Sequence, residues 1–298
     1  MIYRVLGKSA LSVSHIGFGC MSLGEKDADN SRLLHAAIEK GINFFDTADL
    51  YGQGRNEITV GKALKEKRKG LVIATKVGNQ WKQDGGGWLW NPGKEYILSA
   101  VNDSLQRLQT DYIDLYQLHG GTIEDNIDEA LEAFNILQQQ GKIRYYGISS
   151  IRPNVIRSYA CRSAICSVMM QYSLLDRRPE ESCFDLLADK NIGVLARGGL
   201  AGGLLVNKPA KAYLNYGEEA VKKAAAAISS VSGNKRGSTQ TALQYVLQQP
   251  AVTSAVVGIR TKEQLDEALK TMESPLLTGE ELIQLQNAIL KNYYKEHR

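Results

Sequence analysis

The chain has 298 residues, 43% hydrophobic, 23% charged and 7% aromatic, with a net charge of +4. Those proportions belong to an ordinary globular protein that buries its core without disulfides or metals. They exclude a disulfide scaffold, because Cys20, Cys161, Cys166 and Cys183 are few for the length and form no C-x-x-C pair. They also leave no footprint for nucleic acid: the densest basic run, Lys65 to Lys69 (KEKRK), contains Glu66, precedes Gly70 and reads as a solvated helix end. His15, His35, His119 and His297 show no H-x-x-x-H spacing, so no metal site is expected. No window resembles a membrane span and MIYRVLGKSALS has no signal-peptide pattern, so the expectation is a cytoplasmic protein with no membrane partner.

In chain order, residues 2–13 read as a β-hairpin turning at Gly7-Lys8-Ser9. Eight short apolar runs follow as strand candidates: Ile16–Met21, Ile42–Ala48, Leu71–Gly78, Tyr112–Gly120, Ile143–Ser150, Ser167–Ser173, Ile192–Gly199 and Ser254–Arg260. Helical patterns lie between them. One covers Asn30–Lys40, capped by Ser or Asn and stopped at Gly41. Another covers Asp125–Gln140, with Ile127, Leu131, Phe134 and Leu137 on one face. Thr239–Gln248, Lys262–Met272 and Thr278–Leu290 read the same way. Eight strands alternating with helices in one chain of this size predict an α/β fold, a closed (β/α)₈ TIM barrel filling residues 1–298 as a single domain. The N-terminal hairpin is then placed to cap the barrel floor. Three longer connections break the rhythm: Gly78 to Gly93, Gly198 to Tyr216, and the stretch around Ser229 to Gly237.

In such a barrel the active site lies at the C-terminal strand ends. The last polar residues there are Cys20, Asp46, Lys76, His119, Ser149, Gln171, Arg197 and Arg260. An uncompensated charge in that wall is costly, so Asp46 and Lys76 are expected to pair. Taken singly they read as a structural ion pair, and His119 as a satisfied core histidine. Three ionisable groups on one rim favour an active site instead. Tyr51 lies just beyond, in DTADLYG. A tyrosine is ordinarily a weak proton donor near neutral pH, and an ammonium held charged by a carboxylate makes it a better one. His119 would hydrogen-bond the same substrate oxygen. No G-x-G-x-x-G follows a strand and no G-x-x-x-x-G-K-[ST] occurs, so a Rossmann or P-loop nucleotide site is not expected.

These residues resemble the aldo-keto reductase superfamily, in its bacterial and potassium-channel-β-like branch. The resemblance runs through GFGCMSLG (Gly17–Gly24), FDTADLYGQGRNE (Phe45–Glu57), IATKVG (Ile73–Gly78) and DYIDLYQLHG (Asp111–Gly120). It continues in GKIRYYGISS (Gly141–Ser150), MQYSLLDR (Met170–Arg177) and VVGIRTKEQLDEAL (Val256–Leu269). It implies a catalytic tetrad of Asp46, Tyr51, Lys76 and His119, with Tyr51 as general acid in carbonyl reduction. It implies NADPH as cofactor, with NADH second, and a small carbonyl compound as substrate. By position, Gly19, Cys20, Met21 and Asp46 would lie near the nicotinamide ribose, Ser149 and Gln171 would hold the carboxamide, and Tyr172 would stack on the ring. Arg197, Gly198, Leu200 and Gly202 would begin the pyrophosphate loop. Gly258, Arg260, Thr261 and Gln264 would take the adenosine end, with Arg260 or Lys262 facing a 2′-phosphate.

The sequence departs from that pattern in places. Ser150 stands where the family often has Asn, leaving its role open, and no Asn matches on the adenine side. Arg197 replaces a residue commonly small or polar, and reads either as a phosphate ligand or as an ion pair within the wall. Trp81, Trp88 and Trp90 all fall in the loop after the third strand, and read equally as loop anchors or as an aromatic substrate wall. Two other functions compete with the reductase: a redox-sensing subunit that binds NADPH and turns over slowly, and an aldolase forming a Schiff base on Lys76.

Overall fold

The computed structural model describes residues 1–82 and 84–298; Gln83, in the tryptophan-rich connection, lies outside the described residues. The chain starts with β1 (Tyr3–Val5) and β2 (Ser12–Ser14), an antiparallel hairpin whose turn carries Gly7 in a left-handed conformation. The strands β3 (Ile16–Gly19), β4 (Phe44–Asp46) and β5 (Val72–Val77) follow. After them come the short antiparallel pair β6 (Asn79–Trp81) and β7 (Trp88–Trp90). The rest are β8 (Ile113–Leu118), β9 (Ile143–Ser149), β10 (Ser167–Gln171), β11 (Gly193–Arg197) and β12 (Val252–Gly258). Strands β3, β4, β5, β8, β9, β10, β11 and β12 pair in parallel and close on themselves, so the expected barrel is present.

Helices connect the strands on the outside: α1 (Asp27–Glu39), α2 (Arg55–Leu64), α3 (Lys94–Leu108), α4 (Ile127–Gln139) and α5 (Pro153–Arg162). The later ones are α6 (Cys183–Asp189), α7 (Glu218–Ser232), α8 (Ser238–Leu247), α9 (Lys262–Leu269) and α10 (Gly279–Asn287). Three expectations need correction. Helix α1 begins at Asp27 without a side-chain cap, because the buried Asn30 instead bridges the N–H and C=O of Gly24. The connection expected around Ser229 starts only at Gly233, where a positive φ ends α7. The connection after β5 contains the β6–β7 hairpin.

The pleat sorts each strand into two faces. Phe44, Val72, Ala74, Leu115, Met169, Leu195 and Val256 fill the barrel interior. Leu6, Leu11 and Val13 of the hairpin join that same cluster, so the hairpin plugs the floor. The residues between them, such as Phe45, Ile73, Tyr116 and Val168, pack outward under the helices. Gly17 is inside, where a Cβ would meet the Phe44 ring at 2.6 Å. Continuing the inward set by two residues on each strand places Asp46, Lys76, Gln117, Gln171 and Arg197 at the mouth.

Candidate active site

Asp46 ends β4, and Lys76 is the last inward residue of β5, one strand along. The Lys76 side chain is fully buried. Its Nζ donates to Asp46 Oδ2 at 2.7 Å and to the Thr47 carbonyl at 2.6 Å, and reaches Tyr51 OH at 3.4 Å. The ammonium also lies 4.9 Å from the Tyr51 ring centroid. On the other side of Asp46, Gln117 Nε2 donates to Oδ1 at 3.4 Å. Burial works against the Lys76 charge, but Asp46 and the tyrosine oxygen outweigh it and raise its pKa above the usual lysine value. Burial pushes Asp46 up against the pull of the same ammonium. A Schiff-base lysine needs the opposite, an amine that loses its proton easily. The electrostatics therefore run against the aldolase reading.

His119 follows β8, and its backbone N–H donates to the Val77 carbonyl at 2.7 Å. Its ring meets Tyr51 edge-on, with centroids 5.9 Å apart and an interplanar angle of 84°. Nδ1 is buried with no hydrogen-bond partner. Burial, helped by the nearby Lys76 and Arg197 cations, lowers its pKa to about 3, so the imidazole is neutral at ordinary pH. The four residues expected as a tetrad thus share one end of the barrel, with buried Lys76 hydrogen-bonded to Asp46 and Tyr51 and the His119 ring against Tyr51.

Sequence reasoning missed several neighbours that brace this group. Gln117 stands two residues before His119 on the same face, so the strand period alone would have found it. The Thr47 hydroxyl bonds Asn56, whose amide donates to the Cys20 carbonyl, tying the Tyr51 loop to β3. Asn79 Nδ2 donates to the His119 carbonyl at 3.1 Å. Trp90 lies over Gly78 and Gly120, where a Cβ would meet its ring at 2.6 and 3.2 Å, and its indole N–H donates to Asp125 at 2.9 Å.

The residues expected around a cofactor divide. Gln171 and Arg197, paired across β10 and β11, meet at the rim, with Arg197 Nη1 on Gln171 Oε1 at 2.9 Å and Gln171 Nε2 on Tyr213 OH at 2.9 Å. Among the described residues Arg197 makes no ion pair, so the reading of it as a charge neutralised within the wall does not hold. Gly198 and Gly202 both take positive φ in the turn that also holds Leu200. Ser149 closes β9, while the buried Ser150 hydroxyl accepts from the Arg152 N–H. Gly19 ends β3, Met21 is exposed, and Cys20 is buried with a thiol that burial pushes well up. Gly258 ends β12, and a Cβ there would meet Ser22 Oγ at 2.4 Å. Thr261 caps α9, accepting from the Gln264 N–H, while the Gln264 side chain accepts from Arg260 N–H. Arg260 and Lys262 are exposed.

Tyr172 does not sit where the resemblance placed it. One residue past the inward Gln171, it faces the helices: its ring packs edge-on to Phe184 and against Tyr245, and its hydroxyl donates to Glu180 at 3.0 Å. Buried there, it has no face to offer a ring at the mouth.

A closed parallel barrel with a buried lysine–carboxylate–tyrosine group at its mouth has the elements of an acid–base site. The family model for the aldo/keto reductase family matches residues 15–289, and the chain belongs to that family. It is 50% identical to the uncharacterized oxidoreductase YqkF of Bacillus subtilis, over 99% of both chains. Among solved structures, the holo form of the aldo-keto reductase AKR11C1 from Bacillus halodurans matches with a TM-score of 0.94 and 49% identity, covering 100% of this chain and 99% of that one. The apo form of the same protein matches at 0.87 and 47% identity, with the same coverage. Among the described residues, no helix is long and apolar enough to cross a membrane.

Proposed function

We propose that the protein reduces the carbonyl group of a small aldehyde or ketone at the expense of NADPH, with Tyr51 as the general acid. The observation that carries this reading is the fully buried Lys76 ammonium, held between Asp46 and the Tyr51 hydroxyl. The rim residues fit a dinucleotide. At Gly202 a Cβ would meet nothing within 4 Å, so the positive-φ turn offers open backbone to an anion. Arg197, exposed at the end of β11, leads into that turn, and Arg260 and Lys262 are exposed cations after β12, which supports NADPH over NADH. Ser149 and Gln171 would hold the carboxamide end. When bound, the nicotinamide supplies hydride to the carbonyl carbon.

The chain's own residues do the rest. Tyr51 gives its hydroxyl proton to the substrate oxygen. Lys76 stabilises the oxygen charge left on Tyr51, and Asp46 keeps the lysine cationic and in place. His119, neutral, donates one N–H to the same substrate oxygen and fixes the carbonyl's direction. A cationic His119 would compete with Tyr51 as the acid, and its low pKa prevents that. In the alcohol-to-carbonyl direction Tyr51 takes the proton back. The aromatic hairpin β6–β7 borders this mouth, and Trp88 is proposed as part of the substrate wall.

The test is to titrate NADPH by its fluorescence, add 4-nitrobenzaldehyde and follow the nicotinamide absorbance. Binding followed by oxidation is the expected result. Tight binding with no oxidation across an aldehyde panel would instead favour the redox-sensing reading. Failure to bind NADPH or NADH would overturn the cofactor assignment.

A further inference from the structure

Behind the tetrad, on the outer side of the β5 and β8 wall, lies a second buried polar group that the reaction does not touch. Glu57 on α2 is fully buried and satisfied: Thr75 Oγ1 donates to one oxygen at 2.5 Å and Arg107 Nε, from α3, to the other at 2.7 Å. Asp49, on the loop between Asp46 and Tyr51, is buried against the same pocket, and its Oδ1 has no hydrogen-bond partner. Charge counting then constrains its state. Lys76 is already matched by Asp46, and Arg107 by Glu57. Among the described residues no cation remains for Asp49, and a second carboxylate in the pocket, left uncompensated, would cost several kcal/mol. The other titratable groups facing it are the hydroxyls of Tyr96 on α3 and Tyr116 on β8, and neither supplies positive charge.

We propose that Asp49 is a positioning residue for Tyr51: held as a neutral carboxylic acid, it lets the Thr47–Tyr51 loop stay packed on the barrel wall, and losing its proton loosens that loop. The inference rests on the reductase reading for its effect on rate, but not for its effect on structure. The loop is short and tightly coupled to the wall. Thr47 N–H donates to the Ala74 carbonyl at 2.9 Å, Asp49 N–H reaches the Lys76 carbonyl at 3.5 Å, and Tyr51 N–H closes back on Ala48 at 3.2 Å. Asp49 is two residues from Tyr51, whose hydroxyl already contacts Lys76 at 3.4 Å. An ionised Asp49 finds water only by moving outward, and that movement draws Tyr51 off Lys76. Burial, then the Glu57 charge, pushes the Asp49 pKa up to about 8, against the pull of Arg107, the Leu50 N–H and Lys76. The change therefore falls in the mildly alkaline range.

The sign of the stability effect follows. Asp49 binds its proton more tightly folded than unfolded, so its contribution is fully present below the unfolded carboxylate pKa and is lost as pH rises toward the folded value. Three measurements on the full chain compare wild type with Asp49→Asn, a neutral isostere, and with Asp49→Ala should the first fail to fold. In aldehyde reduction, the alkaline fall of kcat is expected to begin roughly one pH unit higher in Asp49→Asn than in wild type, with KM changed less than about two-fold. The Tm of Asp49→Asn relative to wild type is expected to rise between about pH 5 and pH 8 and then level off. Hydrogen exchange over residues 47–56 is expected to speed up above about pH 8 in wild type relative to Asp49→Asn at the same pH. Parallel Tm curves would show that Asp49 carries no proton, and equal exchange would show that its ionisation does not loosen the loop; either result overturns the proposal. Absent carbonyl reduction with both structural readouts intact would instead count against the reductase reading alone.

Discussion

Of the buried charge clusters on the barrel wall, one lies toward the mouth and one toward the floor, and these two are finished to different degrees. At the start of β8, Asp114 is fully buried and accepts from Arg68 at 2.6 Å, from the Ile73 N–H at 3.0 Å and from Arg144 at 3.2 Å. Arg68 also donates to Thr110 and to the carbonyls of Leu71 and Tyr112, and its guanidinium stacks 4.1 Å from the Tyr112 ring. At the mouth, Lys76 and Asp46 are equally buried, but their surroundings are left incomplete. Gln117 reaches Asp46 only at 3.4 Å and leaves its own Oε1 unpartnered, and His119 Nδ1 has no partner. Burial does not distinguish the two clusters here. Satisfaction does: the floor cluster has no buried group left over, while the mouth cluster keeps polar groups unpartnered, as the proposed active site requires.

The largest effect that would sharpen this contrast lies at the mouth. Tyr51→Phe removes the proton donor and almost no packing, so kcat for aldehyde reduction should fall by roughly a thousand-fold. NADPH binding, read by fluorescence, and Tm should stay close to wild type. Near-normal turnover in that variant would remove Tyr51 from the mechanism. At the floor the opposite pattern is expected. Arg68→Ala strips Asp114 of its shortest partner and leaves Arg144 to compensate, so stability should drop by about 2–3 kcal/mol. Denaturant melts would show this as a lower midpoint at unchanged slope. The folded fraction should turn over normally, and a matching loss of kcat would break the comparison.

What the sequence makes legible follows the same division. The eight runs from Ile16 to Arg260 specify the barrel because most strand positions are buried and therefore apolar, with exceptions such as Asp114 at the start of β8 and the exposed Arg144 in β9. Where polarity breaks in, at Asp46, Lys76 and His119, chemistry is readable. The strand period is less forgiving. Gln171 and Tyr172 are neighbours, so they face opposite sides of the wall, and a resemblance that assigns both to the mouth is off by one pleat at Tyr172. Gln117 is legible only when the strand period is carried back two residues from His119; read by itself, a glutamine in an apolar run looks like an interruption. The β6–β7 hairpin is hidden because its strands are three residues each and sit among glycines and tryptophans, with no alternation long enough to detect.

That hairpin gives the three tryptophans different surroundings. Trp90 is an anchor: its ring lies on Gly78 and Gly120 and its N–H is held by Asp125. Trp81 and Trp88 are register partners on the same face of the hairpin as Trp90 and Asn79, the face that contacts the His119 backbone. Trp88 is 49% exposed, and the Trp81 Nε1 is buried without an acceptor, so neither is spent on holding the loop in the way Trp90 is. Trp88→Ala should therefore leave Tm nearly unchanged and shift the ratio of kcat/KM for aromatic over short aliphatic aldehydes by roughly five-fold, against the aromatic ones. Trp90→Ala should do the reverse, lowering Tm first, because it opens a gap over two glycines beside the catalytic strand ends. Identical preferences in wild type and Trp88→Ala, across a panel graded in size, would return all three tryptophans to the role of anchors and leave substrate choice to other loops at the mouth.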